Sequence, residues 1–478
     1  MGNLFGTNGV RGFVNDTLTP ELALRLGKAI GSWLKAGDRL AIASDARQSR
    51  DMFRQAFCAG VNATGVHTVD LGIVPSPGIQ LYVRDKTFAA GAIITASHNP
   101  PEYNGIKLVA PDGTETSQDE EAAVEALYDS QTFRLAKWDQ VGTHSTDPGA
   151  VRHYVDAVKA QVDVAAIKKG KFTVVLDPGG GAGCVSAPVL MKELGVKVIP
   201  LSCELDGAFR DRPSEPSPPN AKRCIEAVKA NKAHMGILQD GDADRAVFIT
   251  EKADYVWGDT TLALACLHEL KRHPKGSAVC TAVSSSSCVA DAVRMGGGKL
   301  EWTVVGSPIV AREMIRRKAV FGGEDNGGLM FTRHQVCRDG LMAMAFMLEL
   351  MAKSGKPFSA LVAEIPRYAL SKDKLPVPEA QKKALLERIR AEFTKVKEVK
   401  EVDARDGVKA YLPQGWVLVR PSGTEPIFRI QAEAKTEAEA KALVDRFKGM
   451  VAQLLGGQAG GGPTSAKAEV RKVQAKAR

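Results

Sequence analysis

Residues 39–71 decide the fold class of this chain. They run Arg39-Leu-Ala-Ile-Ala-Ser44, a polar turn, Asp51-Met-Phe-Arg-Gln-Ala-Phe-Cys-Ala-Gly-Val-Asn-Ala63, and His67-Thr-Val-Asp-Leu71. The outer segments are short runs of strand formers, and the middle segment is long enough for a helix. The same strand–loop–helix–strand order returns at 172–201 and 278–305. These units, about a hundred residues or more apart, predict three related α/β domains.

The pattern changes after Pro376-Val-Pro378, which we interpret as the last linker. Beyond it, the spacing predicts an α+β domain with an antiparallel sheet. Its expected helices are 379–393 and 437–455, and its expected strands are 396–402, 408–411, 416–419 and 427–434. Thr436 and Glu439 predict a capping box for the last helix. We therefore expect domains at 1–148, 149–252, 253–368 and 369–456, followed by a disordered basic tail at 457–478.

Composition favours a globular cytoplasmic protein. Hydrophobic residues make up 44% and charged residues 25% of the 478 positions, as in ordinary globular domains. No apolar run approaches the ~20 residues of a membrane helix, and the first residues do not resemble a signal peptide. The eight cysteines form no CxxC pair, so we expect reduced thiols.

The net charge of +9 raises the question of nucleic-acid binding. The tail holds five basic residues against one acidic residue, which leaves only +5 for the body. The body lacks the interleaved aromatic and basic residues that stack bases, so nucleic acid is an unlikely partner. A moderate positive balance also suits an enzyme that attracts phosphorylated sugars.

Thr95-Ala-Ser-His-Asn-Pro100 is the first candidate site. The strand-forming run Ala92-Ile-Ile-Thr95 delivers Ser97 to a turn, with His98 beside it and Lys107 ten residues on. Ser97 is a candidate nucleophile, His98 an orienting or charge-stabilising partner, and Lys107 a proton carrier. By itself the motif is also typical of a plain turn.

Asp240, Asp242 and Asp244 form the second candidate site. Alternate residues of an extended loop point to one side, and three clustered carboxylates need a cation between them. Oxygen ligands favour Mg²⁺ or Ca²⁺. An EF-hand does not fit, because Arg245 occupies the position of the turn glycine and residues 246–250 form a predicted strand.

Three further loops carry groups that bind sugars or anions. Gly322-Gly-Glu-Asp-Asn-Gly-Gly328 places Glu324 and Asn326 in a glycine frame, suited either to sugar hydroxyls or to a hairpin turn. Arg420-Pro-Ser-Gly-Thr-Glu-Pro426 offers a guanidinium, two hydroxyls and backbone N–H groups for a phosphate. Residues 3–13 contain glycines and Arg11, and they suit either an anion-binding loop or an ordinary turn. Gly179–Gly183 is neither a G-x-G-x-x-G nor a P-loop sequence, and predicts a tight turn.

The combination resembles the α-D-phosphohexomutases, the phosphomannomutase/phosphoglucomutase family. The resemblance spans the chain as far as Leu455 and includes motifs at 6–12, 95–100, 240–245, 323–328 and 420–426. It implies four domains arranged as a heart with a central cleft. It also implies an intramolecular phosphotransferase that requires Mg²⁺ and is activated by a hexose 1,6-bisphosphate.

The resemblance also implies residue roles. Ser97 would be carried as a phosphoserine whose oxygen joins the three aspartates on Mg²⁺, and Lys107 would be the general acid/base. Arg11, His98 and Arg245 would lie near the transferring group, and Glu324 would bind sugar hydroxyls. The non-reacting phosphate would be held by Arg420, Ser422, Gly423 and Thr424, with help from Arg429.

Two departures from the family pattern concern the sugar. Asn326 and Gly328 stand where well-known members carry serine and histidine, and Ser307, after Gly306, stands where others carry histidine or aspartate. The base opposite Lys107 is therefore open. We expect interconversion of hexose 1- and 6-phosphates, mannose and glucose first. Glucosamine phosphate is the alternative, and a non-catalytic sugar-phosphate sensor is a less favoured one. Monomer and homodimer both remain open.

Overall fold

The chain folds into two compact units. A computed structural model describes residues 4–6, 8–422 and 426–456. The first unit ends at Pro366 and the second begins at Arg367. All eight cysteines are free thiols. No helix in the described ranges has both the length and the apolar character needed to cross a membrane.

The first unit opens with a mixed sheet. Its strands are β1 (Val10–Phe13), β2 (Arg39–Ser44), β3 (His67–Ile73), β4 (Ala90–Ile94), β5 (Tyr103–Val109) and β6 (His144–Thr146). They lie in the order β1-β5-β4-β2-β3-β6. Strand β2 is parallel to β3 and β4, whereas β5 is antiparallel to β1 and β4. The accompanying helices are α1 (Pro20–Trp33), α2 (Arg50–Asn62), α3 (Ser76–Asp85) and α4 (Gln118–Ser130).

Helices α1 and α2 pack unusually closely against each other. A Cβ at Gly27 would lie 2.3 Å from the Phe57 carbonyl oxygen, and one at Gly60 would lie 2.1 Å from the Leu24 carbonyl oxygen. Only glycine therefore permits this approach of two backbones. Helix α1 begins as its sequence predicts, with the Thr19 side chain accepting a hydrogen bond from the Leu22 N–H.

A second sheet carries the aspartate loop. Its elements are α5 (Ala150–Lys159), α6 (Val164–Gly170), β7 (Thr173–Asp177), α7 (Ala187–Glu193), β8 (Lys197–Pro200), α8 (Lys222–Asn231), β9 (Met235–Gln239), β10 (Ala246–Thr250) and β11 (Tyr255–Val256). The strand order is β11-β10-β9-β7-β8. Strands β9 and β10 are antiparallel neighbours, so residues 240–245 form the connection of a hairpin. The predicted tight turn is present, with φ of +65° at Gly179 and +72° at Gly180.

A third sheet carries the Glu324 loop. Its elements are α9 (Gly258–Leu270), β12 (Ala278–Ala282), α10 (Ser287–Met295), β13 (Lys299–Thr303), α11 (Ser307–Arg317), β14 (Phe321–Gly323), β15 (Leu329–Phe331), α12 (Gly340–Ser354) and α13 (Phe358–Val362). The strand order is β13-β12-β14-β15. Glu324 directly follows β14, and Ser307 is the first residue of α11.

The three predicted strand–loop–helix–strand units are confirmed. In each unit the two strands are parallel neighbours: β2 with β3, β7 with β8, and β12 with β13. A parallel pair needs a crossover connection, which the intervening helix supplies. The hydrophobic periodicity of the sequence was sufficient to predict these units, because in each of them a helix covers a sheet of short apolar strands.

The second unit is the expected α+β domain. It consists of β16 (Ala369–Pro376), α14 (Glu379–Phe393), β17 (Glu401–Asp403), β18 (Val408–Leu412), β19 (Gly415–Pro421), β20 (Ile427–Ala434) and α15 (Glu437–Gly456). The strand order β16-β20-β19-β18-β17 is antiparallel throughout. Thr436 and Glu439 form the predicted capping box of α15.

Two predictions for this unit were wrong. Pro376–Pro378 is not the linker, because Pro376 ends β16 and the units divide ten residues earlier, at Pro366. The sequence reading missed β16, whose charged, alternately exposed residues suit an edge strand paired only with β20. The strand expected at 396–402 is reduced to Glu401–Asp403.

Candidate active site

The Ser97 side chain lies in a buried turn between β4 and β5. The backbone φ of Ser97 is +49°, in the left-handed region that non-glycine residues rarely adopt. The Ser97 N–H donates to Thr95 Oγ1 at 2.9 Å, and its hydroxyl donates to Asp240 Oδ2 at 2.9 Å. A strained, fully buried serine aimed at a carboxylate of another sheet is typical of a functional position.

The Arg47 side chain fixes the backbone of this turn. Its guanidinium donates to four backbone carbonyls, those of Ser97 (2.9 Å), Asn99 (2.7 Å), Pro100 (2.6 Å) and Tyr103 (2.8 Å). Its Nε pairs with Asp45 at 3.0 Å. Arg47 is completely buried. Such a planar fork with five donors fixes the backbone around Ser97 in a way that a lysine cannot.

The three aspartates converge as their spacing predicts. One carboxylate oxygen from each of Asp240, Asp242 and Asp244 lies within 4.8 Å of the others, and all three residues are buried. Burial first, and then the charges of Asp244 and Asp242, raise the pKa of Asp240 well above its ordinary range. Three buried carboxylates in such proximity repel one another when they are ionised.

These residues fit a divalent metal ion. Asp242 Oδ1 and Asp244 Oδ1 are buried and accept no hydrogen bond from the part of the chain that the structure describes, although buried acceptors are almost always satisfied. Hard oxygen donors in this number leave room for further ligands, as Mg²⁺ commonly requires. Asp240, Asp242, Asp244 and the Ser97 oxygen could therefore hold Mg²⁺.

Lys107 reaches the same cluster from β5. Its Nζ lies 2.7 Å from Asp242 Oδ2 and 3.7 Å from Asp244 Oδ2, with the lysine almost fully buried. Burial acts to raise the pKa of Asp242, but Lys107 and a hydrogen bond from Ser76 outweigh it and lower that pKa. The structure thus brings an ammonium, the aspartates and the Ser97 hydroxyl into one buried group.

Three cationic or imidazole side chains border this group. Arg245 donates from Nη2 to His98 Nδ1 at 3.2 Å, which leaves Nε2 of the imidazole as the N–H donor. Burial, followed by the charges of Arg245 and Arg11, lowers the pKa of His98 to about 3. Arg11 donates to Asn99 Oδ1 at 2.9 Å. His98 is therefore a neutral donor here rather than a cation.

Arg338 connects the aspartates to the Glu324 loop. Its guanidinium donates to Asp244 Oδ2 at 2.6 Å and to Glu324 Oε2 at 3.0 Å. Glu324 Oε1 accepts from the Gly306 N–H at 3.1 Å. Asn326 Oδ1 accepts from the Gly328 N–H at 3.1 Å, which closes the loop on itself. Arg338 was not anticipated, since it stands alone in the sequence after β15.

Ser307 is tied to the first sheet. Its hydroxyl donates to Glu115 Oε2 at 2.9 Å, and Asn8 Nδ2 lies 3.3 Å from the same hydroxyl. Asn8 also donates to Glu115 Oε1 at 2.7 Å. The position that departs from the family pattern is thus paired with a carboxylate located 192 residues earlier.

The predicted phosphate loop lies in the second unit. Arg420, at the end of β19, pairs through Nε with Asp406 at 2.7 Å and is directly opposite Arg429 on β20. Lys382 Nζ donates to the Ser422 carbonyl at 2.6 Å. Gly423 and Thr424 lie outside the described residues. Lys382 was missed because it lies on α14, far from the motif in sequence.

Comparison with known proteins matches this arrangement. Models of the phosphoglucomutase/phosphomannomutase domains match residues 2–135 (domain I), 152–253 (domain II), 257–368 (domain III) and 374–450 (C-terminal domain). A phosphoglucomutase/phosphomannomutase of Thermococcus kodakarensis is 43% identical over 449 residues, 93% of this chain and 97% of that protein. This chain belongs to the phosphoglucomutase/phosphomannomutase family.

Other members of the family are nearly as similar. A probable phosphoglucosamine mutase of Methanopyrus kandleri is 38% identical over 94% of this chain and 98% of that protein. The crystal structure of a phosphoglucomutase/phosphomannomutase family protein from Burkholderia thailandensis superposes with a TM-score of 0.84. It is 27% identical and covers 97% of this chain and 99% of that one. The protein is therefore a phosphohexomutase, an intramolecular phosphotransferase.

Among the described candidates, the structure of this phosphohexomutase brings together those in the first unit. Ser97, Lys107, the aspartates, Arg245 and Glu324 are linked through direct contacts. The sequence reading missed Arg47, Ser76, Arg338, Asn8 and Glu115. Two of them carried a signal: Asn8 lies inside the motif at 6–12, and Arg47 lies in the loop that follows a predicted strand end, where α/β folds place functional groups.

Proposed function

We propose that this phosphohexomutase interconverts the 1- and 6-phosphates of mannose and glucose through a phosphorylated Ser97 and a hexose 1,6-bisphosphate. The observation that carries the proposal is the Ser97 hydroxyl 2.9 Å from Asp240, in a buried cluster that also contains Lys107. A hydroxyl that stores a phosphoryl group needs nearby cations and a proton carrier, and this cluster supplies both.

The first half of the reaction moves a phosphoryl group from Ser97 to a free sugar hydroxyl. Lys107, through its Nζ, gives a proton to the Ser97 oxygen as the phosphorus–oxygen bond breaks. Arg11 and Arg245 stabilise charge on the transferring group, and neutral His98 donates its Nε2–H to it. Mg²⁺, when bound by the aspartates, would offset the negative charge on the phosphoryl oxygens.

The second half returns the other phosphate of the bisphosphate to Ser97. Glu324, with Asn326, Gly306 and Ser307, binds the sugar hydroxyls. We assign the non-reacting phosphate to the loop of the second unit, namely Arg420, Ser422, Gly423 and Thr424, with Arg429. A single phosphate site serves both orientations of the sugar. A hexose 1,6-bisphosphate therefore primes the enzyme by phosphorylating Ser97.

Glucosamine phosphate is the second candidate substrate. It is favoured by the names of similar proteins, which include a probable phosphoglucosamine mutase that is 38% identical over 94% of this chain. Ser307 and Asn326 also stand in the predicted sugar-reading loops, where a change of side chain would alter preference among hexoses. The choice among sugars rests on these positions rather than on the Ser97 cluster.

A coupled assay separates these possibilities. Mannose 1-phosphate, glucose 1-phosphate and glucosamine 6-phosphate are each supplied with Mg²⁺ and the matching bisphosphate. We expect turnover of the first two, and preference for the third would establish the alternative. Absence of turnover with all three would contradict a mutase and leave a sugar-phosphate sensor.

Mass spectrometry tests the mechanism directly. We expect a mass increase of about 80 Da, localised to Ser97, after treatment with the bisphosphate. Ser97→Ala should show neither the adduct nor turnover. Ser214→Ala, which removes a hydroxyl that donates to the Ser97 backbone carbonyl at 2.8 Å, should keep the adduct. An unmodified Ser97 in both purified and treated protein would contradict the mechanism.

A further inference from the structure

Glu115 lies on the same face of the first sheet as Lys107. Residues 110–114 form a tight turn after β5, in which the Ala110 N–H donates to the Thr114 carbonyl at 2.8 Å. Beyond the turn, Glu115 is the antiparallel partner of Val109. Directly opposed residues point to one face, and so do alternate residues of one strand. Lys107, Val109 and Glu115 therefore share a face, with Lys107 and Glu115 as diagonal neighbours about 7–8 Å apart between Cα atoms.

Neutral groups bind both oxygens of the Glu115 carboxylate. Oε1 accepts from the Asn8 amide at 2.7 Å, and Oε2 accepts from the Ser307 hydroxyl at 2.9 Å. Asn8 precedes Gly9, where a Cβ would lie 3.1 Å from Lys107 Cγ. The N-terminal loop thus packs on Lys107 and on Glu115 together, and the two titratable side chains border the same space.

The charge of Glu115 also acts on the region around Glu324. Glu115 is one of the charges that raise the pKa of Arg338, after Asp244 and Glu324 and against the effect of burial. Nearby, the Arg312 guanidinium donates to the Glu115 backbone carbonyl at 3.0 Å and to the Glu120 carboxylate at 3.4 Å. After burial, the charge of Glu115 is the largest cause that raises the pKa of Glu121. Glu115 is thus close to the sugar-reading loops without contacting the aspartate cluster.

The contacts at Glu324 make it unsuited to take a substrate proton. Its Oε2 is bound to the Arg338 guanidinium and its Oε1 to the Gly306 N–H, so uptake of a proton would break an ion pair. Ser307 alone cannot hold an extra proton, because a hydroxyl is a very weak base. A hydroxyl bonded to a carboxylate can relay the proton onward, and Ser307 is bonded in this way to Glu115.

We propose that Glu115, acting through the Ser307 hydroxyl, is the proton acceptor opposite Lys107 in phosphoryl transfer. The inference rests on the proposed mutase function. As a sugar oxygen bonds to phosphorus, its proton passes to Ser307 Oγ while the Ser307 proton passes to Glu115 Oε2. The bond between phosphorus and Ser97 breaks, and the Ser97 oxygen takes a proton from Lys107. The protein gains the proton of the sugar hydroxyl on Glu115, the Lys107 proton moves within the protein to the Ser97 oxygen, and the return step reverses both transfers.

The test compares variants that separate charge from shape. Glu115→Gln keeps the size of the side chain and an acceptor for the Asn8 amide, but its NH2 can only donate to Ser307 Oγ, so the base is lost. We expect kcat to fall by about 100-fold or more, the range for loss of a general base, with KM nearly unchanged. Glu115→Asp should retain more activity than Glu115→Gln. Glu121→Gln removes a neighbouring carboxylate that does not contact Ser307, and it should leave activity unchanged.

Relocating the carboxylate is the decisive experiment. Glu115→Ala/Ser307→Asp carries the base at position 307 instead of 115, and we expect it to exceed Glu115→Ala in kcat by at least about 10-fold. The acidic limb of the pH dependence of kcat should be present in the wild type and in the double variant, and absent in Glu115→Gln. If Glu115 only held the loop in place, its replacement by Gln would leave the acidic limb of the kcat profile unchanged.

The outcomes distinguish the two proposals. Wild-type protein with no turnover of any of the three sugar phosphates contradicts the mutase function itself. Wild-type turnover with an equally active Glu115→Gln, or with an unchanged acidic limb, overturns the role of Glu115 alone. If Glu115→Gln fails to fold, as seen by circular dichroism, the double variant decides, and kcat no higher than that of Glu115→Ala overturns the inference.

Discussion

The Ser97 cluster and the Glu324 region are built in different ways. Around Ser97, the main contacts come from short contiguous motifs, residues 45–47, 95–100 and 240–245, in which Ser97, Arg47 and all four aspartates are almost completely buried. Around Glu324, the contacts come from isolated residues far apart in sequence, namely Asn8, Glu115, Gly306, Ser307 and Arg338.

The difference suits the main roles proposed for the two regions, phosphoryl transfer at Ser97 and sugar binding at Glu324. Phosphoryl transfer needs the same charges whichever sugar is bound, so its residues can be held by rigid turns and buried ion pairs. The region proposed to bind the sugar is assembled from single side chains of two sheets, and two of them, Ser307 and Glu115, also belong to the proposed proton transfer. Arg338 bonds to both regions and is the point where they meet.

Removal of one aspartate should have the largest effect. Asp240→Asn should lower kcat by about 1000-fold, the upper range for loss of one preorganised electrostatic group. Because burial and two like charges raise the pKa of Asp240, the same variant should not be less stable than the wild type in EDTA. Mg²⁺ should raise the Tm of the wild type but not of the variant.

Asp254→Asn is the matched control, since this aspartate follows β10 and bonds only Thr250 among the described contacts. It should keep both activity and the response to Mg²⁺. A Tm increase with Mg²⁺ in Asp240→Asn equal to that of the wild type would show that the cation binds elsewhere.

Substitution of Arg47 tests whether its guanidinium fixes the backbone of the Ser97 turn. Arg47→Met leaves Asp45 buried without its ion-pair partner and four carbonyls without this donor. The free energy of unfolding should fall by about 3–5 kcal/mol, as for other broken buried pairs, with loss of activity. Urea denaturation provides the measurement. Arg50→Met, at the partly exposed arginine that begins α2, should lower stability by less than about 1 kcal/mol.

Substitution of Arg338 tests the link between the two regions. Arg338→Gln should weaken both Mg²⁺ and sugar phosphate by about 10–100-fold, the range for loss of a residue that orients metal ligands. Isothermal titration with Mg²⁺ and KM for the sugar phosphate are the measurements. Arg333→Gln, which affects contacts with Glu269 and Gln161 instead, is the control. Loss of sugar affinity alone would show that the regions are independent.

The smallest expected effect concerns stability near the sugar region. Burial first, and then the charge of Glu115, raise the pKa of Glu121 to about 7 from its ordinary 4.5. Folding therefore favours the protonated form, so this contribution to stability is present below pH 4.5 and is lost as pH rises through 7. Because Glu121 is partly exposed, the effect should be about 1–2 kcal/mol.

Glu121→Gln should remove this loss, so that the variant gains stability over the wild type between pH 5 and 8 by about that amount. Thermal unfolding across this range is the measurement. Asp129→Asn removes the same charge from an exposed position of α4 and controls for net charge. Parallel profiles of wild type and Glu121→Gln would contradict the expectation.

The contiguous motifs were readable from the sequence because local geometry brings their side chains together. Alternate residues of the loop at 240–244 converge whatever surrounds them, and a serine after a buried strand is presented at the strand end. The Gly306–Ser307 position was recognised as a departure from the family, but its partner was not. Glu115 follows an ordinary Asp112-Gly-Thr turn, and no periodicity connects it to a residue 192 positions later.

The sequence by itself determined the three α/β domains, the antiparallel C-terminal domain, the family, and the candidate residues that we propose for phosphoryl transfer. These follow from short-range rules: side-chain periodicity, turn residues and the convergence of neighbouring carboxylates. Tertiary structure alone decided that Arg47 holds the Ser97 turn, that Arg338 joins the aspartates to Glu324, and that Ser307 meets Glu115. The physical reason is that these contacts depend on how strands order within a sheet and how sheets pack, and both bring together side chains whose separation along the chain carries no pattern.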